Sequence, residues 1–127
     1  MNNADICYCG SQIIFQDCCQ KYLVGTQKAP TALALMKSRY CAYATHQVDY
    51  LLHTTHSSQQ KYYSKAAILN WAKANEWQKL EIIAATENTV EFKAYFLDEN
   101  QQEQIHHEFS TFKKENNSWF YVDGKFE

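Results

Sequence analysis

The chain has 127 residues, a formal charge of −2, 46% hydrophobic residues and 15% aromatic residues. That length fits one domain with at most a small appendage, and three glycines and one proline argue against a linker-rich or disordered chain. The slight acidity removes any bulk electrostatic drive toward nucleic acid or an anionic membrane: Arg39 is the sole arginine and Lys113-Lys114 the only adjacent basic pair. No stretch is long enough to span a bilayer, and the first residues lack the basic start and apolar run of a secretory signal. The expected location is cytoplasmic, where clustered cysteines favour a metal over disulfides.

Four of the five cysteines fall between Cys7 and Cys19. A short polar connector, Gly25 to Pro30, follows, and we place a boundary there: residues 1–26 as a small cysteine-bearing segment and 27–127 as the main domain. Pro30 suits the first turn of a helix because it has no amide to leave unpaired. Leu33, Met36, Tyr40 and Tyr43 then recur at three- and four-residue steps as one apolar stripe. A short helix is expected at Val48 to Leu52. A third is expected from about Lys65 to Asn75, with Ser64 as its cap and Ile68, Leu69, Trp71 and Ala72 on its buried side.

The period then changes. A strand is expected at Leu80 to Ala84. In the next, Val90, Phe92, Ala94 and Phe96 alternate with Glu91, Lys93 and Tyr95, as a half-buried strand requires. Asp98-Glu99-Asn100 makes a turn, a further strand covers about Gln104 to Lys113, Asn116-Asn117-Ser118 turns again, and a last strand covers Trp119 to Val122. Helices followed by antiparallel strands predict an α+β fold.

The cysteine spacing is Cys7-x-Cys9, eight residues, then Cys18-Cys19. Zinc prefers four thiolate or imidazole ligands in a tetrahedron, so two close pairs can grip one ion from opposite sides. Gly10 permits the tight turn after Cys9. An appendage of this size cannot bury enough apolar surface to order itself, which a structural metal would remedy. The competing readings are two disulfides, buried free thiols, and redox chemistry, the last weakened because neither pair is Cys-x-x-Cys. Cys41, far away in sequence, reads as a small buried hydrophobe.

Cys7-Tyr8-Cys9-Gly10-Ser11 with Cys18-Cys19 resembles the SEC-C motif, a small zinc-binding element named for the C-terminal tail of the SecA translocation ATPase. Gly25-Thr26-Gln27, Ala29-Pro30-Thr31, Leu35 to Tyr40, Asp49 to Leu52, His107 to Phe112 and Trp119 to Gly124 resemble the bacterial YchJ-like family. The resemblance spans nearly the whole chain. It implies a zinc knuckle followed by a nuclear-transport-factor-2-like domain, in which helices pack on a curved antiparallel sheet that forms a cone, and such domains often dimerise through the sheet. Three positions depart from the usual SEC-C pattern: Tyr8 replaces a common proline, Gln12 a common glycine, and Ile13, Ile14 and Phe15 the basic loop residues. These changes leave metal ligation intact and alter the surface offered to an acidic partner.

A cone of this class often encloses a cavity. Candidate pocket residues are Arg39, Tyr40, Tyr43, His107, Trp119 and Tyr121. Arg39 suits a carboxylate or phosphate, or an ion pair with Asp49 or Asp123. Adjacent strand residues face opposite sides, so one of His106 and His107 faces the concave surface, near Glu108. No nucleophile motif or phosphate loop supports catalysis. The favoured expectation is a zinc-stabilised protein-binding or adaptor module presenting Ile13, Ile14 and Phe15. The alternative is a small-molecule-binding or catalytic domain using the cavity, and it requires a deep pocket lined by Arg39, a histidine and aromatic rings.

Overall fold

The computed structural model describes residues 5–126. A 3₁₀ turn at Phe15–Asp17 leads into the one-turn helix α1 (Gln20–Leu23), followed by α2 (Ala32–Ala44), α3 (Val48–His53), a second 3₁₀ turn (Gln60–Tyr62) and α4 (Lys65–Ala74). Four strands complete the chain: β1 (Glu76–Ala85), β2 (Thr89–Leu97), β3 (Glu103–Glu115) and β4 (Ser118–Phe126). They form one antiparallel meander in the order β1-β2-β3-β4. The expected α+β architecture of helices on an antiparallel sheet is therefore present. Among the described residues no helix is long and apolar enough to cross a membrane.

Local chemistry explains the element boundaries. α2 begins two residues later than the proline suggested, because Thr31 is the cap: its hydroxyl accepts the Ala34 amide at 3.0 Å. Ser64 caps α4 in the same way through Ala67. The β3–β4 turn rests on Asn116 and Asn117, both with positive φ, the conformation that two-residue hairpin loops need. β2 alternates as expected, with Val90, Phe92, Ala94 and Phe96 buried. Register shifts at Trp77/Lys79 and Ile82/Ala84 in β1, and at Thr111/Phe112 in β3, are bulges that bend and twist a sheet toward a cone.

α2 differs from the expected single stripe. Ala32, Leu35, Met36, Ser38, Arg39, Tyr40, Cys41 and Ala42 are all buried, so the helix is covered around most of its circumference. The sheet, α3 and the N-terminal segment share that covering. Cys7, Cys9, Phe15 and Cys19 belong to the same buried cluster as Leu35, Tyr40, Trp77 and Phe92. Packing is thus continuous across the boundary drawn at residues 26 and 27. The segment after α3 joins the sheet edge: the Tyr121 amide donates to the Thr54 carbonyl at 2.7 Å, and the His56 amide to the Tyr121 carbonyl at 2.8 Å.

α4 buries only Ala72 fully, and Trp71 is 41% exposed although its ring meets Tyr43, Trp77, Phe96 and His106 edge-on. This helix lies over an opening instead of filling a core. Truncating Leu35, fully enclosed in α2, to alanine is expected to cost about 2–5 kcal/mol, and Thr31→Ala about 1 kcal/mol through the lost cap. Urea denaturation followed by tryptophan fluorescence measures both.

Candidate functional site

Two places in the fold gather chemistry-bearing side chains. The first is the cysteine segment. Ile6 and Ile14 form an isolated antiparallel bridge, and the Cys7 amide donates to the Ile13 carbonyl at 2.9 Å. The loop between them turns at Gly10 (φ +85°) and Gln12 (φ 68°), which folds Cys9 back beside Cys7. The 3₁₀ turn and α1 then deliver Cys18 and Cys19 from the other side. The Sγ atoms of Cys7, Cys9, Cys18 and Cys19 all lie within 4.8 Å of one another. Cys9 and Cys18 are separated by 3.6 Å and Cys18 and Cys19 by 3.9 Å. All four are free thiols, and the Ser11 hydroxyl lies 3.1 Å from Cys18 Sγ.

So many thiols in contact cannot all ionise unaided. Hydrogen bonding from Cys19, joined by Cys41, holds the Cys7 thiol down to about 6 and pulls Cys9 down as well. The Cys19 thiol is pushed up by its contacts with Cys41, Cys7 and Cys9, and burial pushes Cys18 up. A bound divalent cation relieves that conflict by stabilising all four thiolates together, though some net negative charge remains. Four soft sulfur donors with no carboxylate among them suggest a metal site.

Sequence reasoning missed Cys41. It is fully buried on α2, and its Sγ lies 3.4 Å from that of Cys7. Spacing along the chain gives no hint of this. The only signal is helical: Lys37 and Ala34, one and two turns earlier on the same side, line a groove with Cys18, Cys19 and Tyr22.

The second place is a cavity of about 280 Å³ between α2, α4 and the concave face of the sheet. Of the expected pocket residues, Arg39, Tyr40, Tyr43 and Tyr121 line it. His107 does not: it points to the convex face and meets Glu91 at 2.8 Å, while His106 lines the cavity. The register of β3 decides this, since Glu108, Ser110 and Phe112 face inward with the same parity as His106. Trp119 lies outside the cavity, its indole N–H donating to the Pro30 carbonyl at 3.2 Å.

Arg39 is 9% exposed. Its Nη1 donates to the Leu51 carbonyl at 2.9 Å and to the hydroxyls of Thr54 and Thr55 at 2.7 and 3.4 Å, and its guanidinium sits 4.6 Å from the centre of the Tyr121 ring. The expected ion pair is not formed. Asp49 pairs with Lys65 at 2.9 Å, and Asp123 accepts the Gly124 amide. Among the described residues no carboxylate lies within ion-pair distance of Arg39.

Glu108, expected beside the concave-facing histidine, is the buried carboxylate of the cavity. His106 Nε2 lies 2.8 Å from its Oε1, and the hydroxyls of Ser110 and Tyr121 donate to Oε2. Burial alone would push its pKa up. The hydrogen bonds from His106 and Ser110, the charge of His106 and the Tyr121 hydroxyl outweigh that and hold it below the usual carboxylate range. Gly124 is needed here because a methyl group at that position would run into the Glu108 carboxylate. Burial raises the hydroxyl pKa of Tyr40, Tyr43 and Tyr121, which stay neutral, and the buried Tyr40 hydroxyl has no hydrogen-bond partner among the described residues.

The family described as YchJ, middle NTF2-like domain, matches residues 31–124. The chain belongs to the YchJ family. A UPF0225 protein of Geobacter sulfurreducens is 34% identical over 94% of this chain and 78% of its own length, and one of Yersinia pestis is 38% identical over 95% and 83%. A SEC-C motif containing protein from Rhodopseudomonas palustris has the same fold, with a TM-score of 0.86 at 33% identity over 94% of this chain and 96% of that one. One from Psychrobacter arcticus aligns with a TM-score of 0.83 at 33% identity over 98% and 84%. The NTF2-like cone and the N-terminal cysteine cluster together make this chain a YchJ-like SEC-C protein.

Of the residues expected to offer a partner surface on this YchJ-family chain, Ile13 and Ile14 are 49% and 39% exposed. Phe15 is not part of that surface. It is 6% exposed and packs in the common core, because the 3₁₀ turn it opens swings its ring inward.

The depressed Glu108 pKa has a consequence for stability. Its carboxylate contributes in full above the unfolded-state value near 4.5, and that contribution fades as pH falls through the lower folded value. Glu108→Gln is expected to lose stability at neutral pH and to flatten the acid limb below about pH 4.5 relative to the parent. Thermal midpoints of both proteins across pH 3 to 7 give the comparison.

Proposed function

We propose that the chain binds one zinc ion through Cys7, Cys9, Cys18 and Cys19, and that this ion is structural. The observation that carries this reading is the sulfur spacing. Zinc–thiolate bonds of about 2.3 Å put tetrahedral sulfur atoms about 3.8 Å apart, and the measured separations are 3.6 and 3.9 Å, with all four atoms within 4.8 Å. Four protein ligands close such a site, leaving no position for substrate. The contribution of zinc is to hold the four thiolates together and fix the segment on α2. Ser11 and Cys41, in contact with Cys18 and Cys7, are placed to donate hydrogen bonds to thiolate sulfur and so spread the excess negative charge.

Reduced, freshly purified protein is expected to contain one zinc per chain by elemental analysis, and cadmium exchange to give a four-thiolate NMR signature. Protein without metal, or with Cys9 and Cys18 oxidised to each other, refutes the site. Chelation is expected to loosen residues 5–24 in amide exchange first, because their few apolar contacts do not order them alone.

The adaptor role is proposed for the same segment: zinc fixes a small surface on which Ile13 and Ile14, with Ile6 beside Ile14, engage a protein partner in the cytoplasm. The exposure of these three side chains supports it. Ile14→Glu is expected to leave the thermal midpoint within about 1 °C, since a surface change is worth under about 0.5 kcal/mol. It should abolish capture of partners that are also lost on chelation. A fall in stability instead assigns Ile14 to packing.

A second reading is favoured by a separate observation. The condition set for a small-molecule-binding domain was a deep cavity lined by Arg39, a histidine and aromatic rings. The cavity has Arg39, His106 and the rings of Trp71, Trp77 and Phe92 on its walls. Binding is the function this supports.

A further inference from the structure

The cavity wall carries an arginine whose donors are only half used. All the hydrogen bonds of Arg39 leave from Nη1, toward α3 and the segment after it. Its Nε and Nη2 have no partner among the described residues, no carboxylate neutralises it, and it is nine-tenths buried on the cavity wall. The Tyr43 hydroxyl, on the same wall, likewise lacks a partner among the described residues. That planar Nε–Nη2 edge has no protein partner and is not sealed off from solvent, and it matches the two oxygens of a carboxylate.

The rest of the cavity limits what else the ligand carries. Trp71, Trp77 and Phe92 form flat apolar walls, with Trp71 and Trp77 ring centres 5.0 Å apart. The oxygens of Glu108 are already taken by His106, Ser110 and Tyr121, so that carboxylate offers little to a ligand cation. Its negative charge on the same cavity penalises a dianion such as a phosphate ester. A volume of about 280 Å³ is near the lower limit for ligand sites, which excludes nucleotides and long chains.

We propose that the cavity binds a small organic monocarboxylate with a flat apolar body. Its carboxylate is held by the Nε–Nη2 edge of Arg39 with the Tyr43 hydroxyl, and its body lies between the tryptophan and phenylalanine rings. This rests on the small-molecule reading above and adds the chemical class and the recognising residue.

The test uses the full zinc-loaded chain and three probes of one shape: 2-naphthoate, its neutral amide 2-naphthamide, and 2-naphthyl phosphate. Arg39 is the only arginine, so its side-chain Nε–H gives a single NMR signal. Tryptophan quenching reports entry to the cavity independently. The expected result is that naphthoate quenches the fluorescence and shifts the Arg39 Nε signal. The amide should bind about tenfold to a hundredfold more weakly, the value of a charge-assisted pair, and the phosphate ester more weakly than the acid. Tyr43→Phe is expected to weaken naphthoate a few-fold while leaving the amide unchanged. Arg39→Gln should erase the preference for acid over amide, and the probe comparison on the parent protein keeps the test decisive if that variant does not fold.

Equal binding of acid and amide with an unmoved Arg39 signal overturns the proposal while leaving the cavity reading intact. Tighter binding of the phosphate ester overturns the monocarboxylate class. No quenching and no shift with any of the three removes the cavity reading along with it.

Discussion

The burial of α2 on several sides at once is the constraint on which the rest of this fold depends. A thirteen-residue helix with Ala32, Leu35, Ser38, Cys41 and Ala42 all enclosed needs a covering layer in each direction. The sheet supplies one, α3 another, and the cysteine segment a third. Both candidate sites are consequences of that arrangement, since each is built where one covering layer meets the helix. Cys41 meets Cys7 on one side, and Arg39 and Tyr43 meet the cone on another. Two residues apart on the helix, Arg39 and Cys41 are roughly 200° apart around its axis. The same helix therefore separates the sulfur cluster from the cavity and holds both in register.

The fold class was legible because its signals are local. Alternation in β2, the asparagine pair before β4 and the cap Ser64 each act through neighbouring backbone and give the right elements. The clustering of Cys7, Cys9, Cys18 and Cys19 was legible for a related reason: the cysteines lie close along the chain, and a short loop leaves them few ways to avoid one another. The pocket was harder to read. His106 and His107 are equally plausible from sequence, because alternation states that they face opposite sides without saying which side is concave. The parity is set by Glu108, Ser110 and Phe112, and Phe109 on the other face obscures it by being aromatic as well. Trp119 was misplaced because its indole is satisfied by a carbonyl eighty-nine residues away, at Pro30, a contact no local pattern records. Cys41 fails in the same way.

Phe15 shows a different limit. An apolar triplet in a loop reads as a surface when its neighbours in space are unknown. A single 3₁₀ turn sends its third member into the core and leaves Ile13 and Ile14 outside. That one ring also accounts for much of the continuity between segment and domain. A small cysteine-bearing segment with a core anchor has its position on the domain determined by packing, and the proposed metal would act on the loop geometry around Gly10 and Gln12 before it acts on the cone.

The polar interior of the cone follows from the same economy of partners. Glu108 is buried yet keeps its charge because three donors converge on it, and Gly124 leaves them room. Arg39 is buried with a fixed half and an open half. Its fixed half ties α2 to the α3 carbonyl end and, through Thr54 and Tyr121, to the edge of the sheet. If Arg39 served only as a tie, a neutral donor would do as much at lower desolvation cost, because every acceptor it uses is uncharged. The charge and the open edge are what such a tie leaves unexplained, and Arg39 lines the cavity together with the rings of Trp71, Trp77 and Phe92.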